Sequence, residues 1–171
     1  DPGLDVEGLY AAAREVAAAG VRRVDSVVAD DSYFEGPGRV PSWPTRNYDE
    51  WYSAPSSALS ANYNVVSVNA RGSSAGSAQV WVDPFPSFFE VEGRVTTGRG
   101  PWSVKSCLVP AGGSLTDCCA QQKITVSGRV PSAQTCRELR AVEDPALFAA
   151  HGFAESLRRV GVEVGGTPTR G

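Results

Sequence analysis

The chain has 171 residues, of which 42% are hydrophobic and 20% charged, with a net charge of −3. That length supports one ordinary domain or two small lobes with a real core, and the apolar share excludes a disordered chain. No apolar run approaches the ~18 residues of a membrane-spanning helix, and the two lysines, Lys105 and Lys123, form no basic stripe that would attract nucleic acid.

No basic, apolar, small-residue leader opens the chain, so any targeting segment is expected to have been removed or to lie outside it. Leu4 to Ala19 places Leu4, Val6, Leu9, Ala12, Ala13, Val16 and Ala17 at near-helical spacing. Alanine is the best helix former, so this stretch predicts a helix, and Gly20 predicts its end. Val21 to Ala29 then reads as a strand that runs out at Asp30-Asp31-Ser32-Tyr33-Phe34. Residues 35 to 53 hold Pro37, Pro41 and Pro44 among the aromatics Trp43, Tyr48, Trp51 and Tyr52, which predicts a long irregular excursion, functional or self-packed. Ala54 to Leu59, with an early proline, predicts a short helical turn. Strands are predicted at 64–71, 77–83 and 88–97 from alternating apolar residues, and again near 102–109, 115–120, 123–129 and 136–142. The glycines and prolines between them suggest antiparallel connections. Asp144 is a good N-cap and Pro145 a good first residue for a second helix, whose apolar face is Leu147, Phe148, Phe153, Ala154, Leu157 and Val160. Gly161 stops it, Val162 to Val164 reads as a short strand, and Gly165 to Gly171 as a linker. The fold class is therefore α+β: mostly antiparallel β-sheet with two main helices, one near each end of the chain.

The four cysteines, Cys107, Cys118, Cys119 and Cys136, fall within thirty residues. No CxxC pair exists, and adjacent Cys118 and Cys119 suit a tetrahedral metal badly, so no metal site is expected. Two disulfides fit better and imply an oxidising, extracytoplasmic location. Neighbouring cysteines bridge each other poorly, so one of the adjacent pair is expected to join Cys107 and the other Cys136. The run Pro110 to Ser114 reads as the hairpin loop that would bring Cys107 opposite about residues 117 to 119.

A search for catalytic groups narrows quickly. His151 is the single histidine, and its position among Phe148, Ala150 and Phe153 reads as a half-exposed packing site rather than a general base. A serine–lysine mechanism needs Ser-x-x-Lys, but Trp102 and Ala120 stand three residues before the two lysines, and Lys-Thr-Gly is also absent. Ser60-Ala61-Asn62 and Ser67-Val68-Asn69 match Ser-x-Asn without a lysine partner. No phosphate-binding or other cofactor motif appears, so no cofactor is expected. The paired acids Asp30 and Asp31, at the end of a strand, are the best remaining polar site: they could hold a cation or an ammonium group. Their plainer role is for one to cap the following turn and the other to be solvated. Tyr33, Phe34, Trp43, Trp51 and Tyr52 could wall a pocket beside them or pack on the sheet.

The order Val27-Val28-Ala29-Asp30-Asp31-Ser32-Tyr33-Phe34, then Trp43-Pro44, then Tyr52-Ser53-Ala54-Pro55-Ser56-Ser57-Ala58-Leu59 through Ser67-Val68 is distinctive. So are Ile124 to Pro131 and Asp144 to Ala150. Together they resemble the peptidase S13 family, penicillin-binding protein 4-like D-alanyl-D-alanine carboxypeptidases and endopeptidases of the bacterial cell wall. In that family a catalytic domain carries the serine motifs, and two extra domains are inserted between the first and second of them. The chain resembles the insert alone and ends in Gly165-Gly166 about where the family would return to its catalytic domain. The resemblance implies an accessory region that helps shape the substrate cleft, inactive by itself, in a parent serine peptidase of peptidoglycan remodelling. It implies partners in peptidoglycan stem peptides and in the parent's catalytic domain, and a periplasmic or cell-envelope location. It matches Asp30 to the strand-end acid that receives the free amino end of a peptidoglycan side chain, with Phe34 or Tyr33 lining the pocket and Asp31 open. The alternative is a free-standing extracytoplasmic module that binds peptidoglycan or protein. Residues 72–140, rich in strand and cysteine, are expected to form a lobe of their own.

Overall fold

The structure, a computed structural model, describes residues 3–36, 38–107 and 121–171. The expected strand at 115–120, the Pro110 to Ser114 hairpin loop, Cys118, Cys119 and Pro37 lie outside the described residues. Helix α1 spans Val6–Ala18 and α2 spans Pro145–Arg159. Strands β1 to β10 are Arg23–Val24, Val28–Ala29, Val65–Gly72, Ala78–Asp83, Phe89–Thr97, Trp102–Ser106, Gln122–Val130, Thr135–Ala141, Glu163–Val164 and Thr169–Arg170. The α+β class read from the sequence is the observed one.

Both helices start where side chains satisfy the orphan N–H groups of the first turn. Asp5 accepts from the Gly8 N–H at 2.8 Å, and Asp144 accepts from the Leu147 N–H at 3.0 Å with Pro145 in the first turn. α2 is buried on nearly every side, with Ala146, Phe148, Ala150, Ala154 and Leu157 all at or near zero exposure. A helix buried over most of its circumference sits between layers. One side, through Ala146 and Ala150, meets Ala29 and Val27. Leu157 meets Ala13 of α1 and Val162. Phe148 stacks among Phe85, Phe88 and Phe89, with ring centroids 5.2, 5.5 and 6.0 Å away.

The long strands form two three-stranded sheets, ordered β4-β3-β8 and β5-β7-β6. β3 pairs antiparallel with both neighbours, as β6 does with β7, whereas β5 and β7 run parallel over nine residue pairs. Val66, Val68 and Ala70 of β3 and Ile124, Val126 and Val130 of β7 are all buried in one core. The sheets also meet at their edges. A bridge joins Ser77 to Thr96, and the Arg140 guanidinium on β8 donates to the Val104 carbonyl of β6 at 2.8 and 3.2 Å.

Three local expectations are corrected. The predicted strand at 21–29 is two short strands, because its partners are: β1 pairs parallel with β9 and β2 with β10. Gly165, Gly166 and Pro168 fall between those partners and interrupt the ladder. Hence the expected linker at 165–171 contains β10, which returns to the N-terminal part of the chain. The helical turn expected at 54–59 is extended instead. Ala54 precedes a proline and adopts φ −55°, ψ 134°, and the Ser56 N–H donates to the Gly38 carbonyl at 2.7 Å. Short 3-10 turns form on either side of it, at Trp51–Ser53 and Asn62–Asn64.

Cys136 is a free, half-buried thiol, which corrects its expected place in a disulfide. It sits opposite Ala70 and packs against the core of the sheets, where it acts as a small apolar residue. Cys107 is not among the free thiols. Among the described residues, no helix is long and apolar enough to cross a membrane.

Candidate functional site

β2 delivers the acids. Its pairing with β10 fixes Val28 and Ala29 beside Thr169 and Arg170, and the chain then leaves the ladder at Asp30. Asp30 is solvent-exposed, and one of its oxygens accepts the Ser32 N–H at 3.0 Å. Hydrogen bonds from the Ser32 side chain and then its backbone hold the Asp30 carboxyl below the usual carboxylate range. The group is therefore anionic at neutral pH, braced in a turn and exposed to solvent.

Asp31 is placed quite differently. Arg170 donates to it from Nε at 3.1 Å and from Nη2, and the Ser57 hydroxyl donates to it at 3.2 Å. Arg170 also lies 3.6 Å from the Asp144 carboxylate at the start of α2. Tyr33 and Phe34 follow in a turn as an edge-to-face pair, 5.1 Å between centroids, and both are strongly exposed at 85% and 66%. Trp51 and Tyr52 form a second exposed edge-to-face pair at 5.7 Å, on the turn before the 53–57 segment.

The excursion returns to the body of the protein at Arg39. Its guanidinium forms a two-pronged pair with Glu143, 2.8 Å to Oε2 and 2.7 Å to Oε1. It also donates to the carbonyls of Ser53 at 2.8 Å and Tyr48 at 2.9 Å, and lies over the Tyr48 ring at 4.7 Å. The Glu143 side chain has no exposed surface. No sequence motif marks Arg39, Glu143, Ser57 or Arg170. Arg39 and Glu143 stand 104 positions apart, and Asp31 and Arg170 stand 139 apart, so no local pattern joins either pair.

His151 is buried at 7% exposure, with its ring edge-to-face against Phe88 at 5.2 Å. Burial first, and then the Arg158 charge, push its pKa down, which keeps it neutral. It lies well inside α2 rather than half-exposed as expected, because α2 is enclosed on that side as well. A separate cavity of about 320 Å³ lies between the start of α1 and the β3–β8 strands, lined by Val6, Tyr63, Ser67, Asp83 and Arg137, and includes none of the sequence-predicted site residues. Among the described residues, no cluster of three or more histidines, cysteines or acids is arranged to hold a metal.

Known proteins give this arrangement its context. The profile of the D-Ala-D-Ala carboxypeptidase 3 (S13) family matches residues 1–171. The chain belongs to that family. A D-alanyl-D-alanine carboxypeptidase of Actinomadura sp. (strain R39) is 33% identical over 175 residues, covering 97% of this chain but 31% of the relative. The fold matches part of the crystal structure of penicillin binding protein 4 (dacB) from Haemophilus influenzae, with a TM-score of 0.68 at 17% identity. That match covers 99% of this chain and 36% of the other. A second structure of the same protein, complexed with a novel beta-lactam, gives a TM-score of 0.58 at 15% identity over 35% of its length. This S13 chain thus spans about a third of the proteins it resembles.

Proposed function

We propose that this chain is the accessory, non-catalytic region of a serine-type D-Ala-D-Ala carboxypeptidase or endopeptidase that remodels peptidoglycan. The observation that carries the reading is the family match over the whole chain, combined with a sequence that has neither Ser-x-x-Lys nor Lys-Thr-Gly. Without those groups a seryl ester cannot form here, so acyl transfer belongs to the rest of the parent protein.

The contribution of this chain is a wall of the substrate cleft. Asp30 supplies a fixed anion, braced by Ser32 and open on its outer face. Beside it Tyr33 and Phe34 offer exposed rings that cover an aliphatic side chain while its terminal ammonium meets the carboxylate. The ligand is the free amino end of a peptidoglycan stem peptide. The parent's catalytic domain is the second partner, and the setting is the periplasm or cell envelope.

Two measurements test the reading. A fluorescent penicillin is expected to leave this chain unlabelled, and covalent labelling would overturn its non-catalytic role. In the full-length enzyme, Asp30→Asn is expected to lower kcat/KM several-fold for a D-alanyl-D-alanine peptide with a free side-chain ammonium. The same peptide acetylated at that nitrogen should be far less affected. Equal effects on the two peptides would remove Asp30 from the pocket.

A further inference from the structure

The tip of the proposed pocket has no burial to hold it. Tyr33 and Phe34 are exposed, so the position of their rings relative to Asp30 depends on where the loop is tied down. It is tied at two points. At the leaving end, Asp31 receives Arg170 and Ser57, and Arg170 reaches Asp144 at 3.6 Å. At the returning end, Arg39 grips Glu143 with two hydrogen bonds, and the Gly38 carbonyl accepts the Ser56 N–H at 2.7 Å. Both ties therefore end on two consecutive residues, Glu143 and Asp144.

These two acids are themselves buried and hydrogen-bonded. Asp144 caps α2 through the Leu147 N–H, and the backbone N–H of Glu143 donates to the buried Gln122 side chain at 2.9 Å. Behind them lies a helix with no exposed apolar face. Building on the pocket reading above, we propose that the Glu143–Asp144 pair is a common anchor that sets the shape of the pocket through Arg170–Asp31 on one side and Arg39 on the other. Arg39, Arg170 and Asp31 are then positioning residues. Asp31 lies next to the ligand-binding acid and differs in kind from it: its carboxylate is spent on the anchor, leaving Asp30 to meet the substrate. Arginine suits both ties because its planar fork fixes direction as well as distance, which a lysine ammonium does not.

The test uses the full-length enzyme and the free-ammonium and acetylated peptides, with active sites counted by penicillin titration. The readout is the ratio of kcat/KM for the two peptides. A loss of folded enzyme scales both values together and leaves this ratio unchanged. Arg39→Met with Glu143→Met removes the buried pair without stranding a lone charge. The ratio is expected to fall about threefold to tenfold, mainly through KM on the ammonium peptide. Arg170→Lys, at a half-exposed site and with the charge kept, should lower the ratio in the same direction, and it decides the matter if the double variant yields no folded enzyme. A ratio that stays at its wild-type value in the variants that fold would overturn the anchor. Asp30→Asn separates the two ideas. If it discriminates and the anchor variants do not, only the anchor fails. If it does not discriminate, the pocket fails and the anchor with it.

Discussion

Gln122 offers the sharpest test of how the two sheets and α2 are joined. It is fully buried at 0% exposure. Its Nε2 donates to the Ser106 hydroxyl at 2.6 Å and the Ala141 carbonyl at 2.9 Å, and its Oε1 accepts the Glu143 N–H at 2.9 Å. One side chain on β7 thereby ties β6, the end of β8 and the approach to α2. Gln122→Leu keeps the size and removes all three bonds. The Ser106 hydroxyl can rotate to another acceptor, but the Glu143 N–H loses the partner it uses, as the Ala141 carbonyl does one of its own. Each such buried group costs about 1–3 kcal/mol when stranded. The new leucine recovers about 1–2 kcal/mol of apolar burial. Taken at mid-range, the net loss is about 2–3 kcal/mol, with a fall in Tm of about 2–4 °C per kcal/mol at this chain length. Urea unfolding of the two chains side by side should show a lower midpoint with an unchanged slope. A leucine variant as stable as the parent, or more so, would refute the argument that unpaired backbone groups outweigh apolar gain here.

Two further outcomes are expected. Gly93 sits at φ +101°, and an added Cβ would stand 2.0 Å from the Val126 carbonyl oxygen of the neighbouring strand, so Gly93→Ala should disrupt the β5–β7 ladder. Loss of slow-exchanging amides along β7 would report it, and a native exchange pattern would refute it. His151 should make the protein sensitive to mild acid. Its folded pKa lies below histidine's ordinary value of about 6.5, so the unfolded chain binds the proton more readily and stability drops as pH falls from about 6.5 through the folded value. His151→Phe should flatten that part of a Tm-against-pH curve, and an unaltered curve would show that another group titrates there.

Local signals carried much of the fold. Alanine-rich spacing marked α1, Asp144-Pro145 marked the first turn of α2 to the residue, and alternating valines marked β3 and β4 within one position. Each of these depends on neighbours a few residues away, which a sequence displays directly. The motif content also determined what the chain lacks for serine chemistry, and family likeness placed it in the S13 peptidases. The rest needed tertiary structure, because it rests on partners more than a hundred positions apart. The break in the 21–29 strand follows from a gap in β9 and β10. The burial of His151 follows from Phe88 packing over that side of α2. Asp30 and Asp31 are the plainest case: as a dipeptide they are chemically equivalent. Only the arrival of Arg170 from the far end of the chain occupies one of them, while the other stays exposed to solvent.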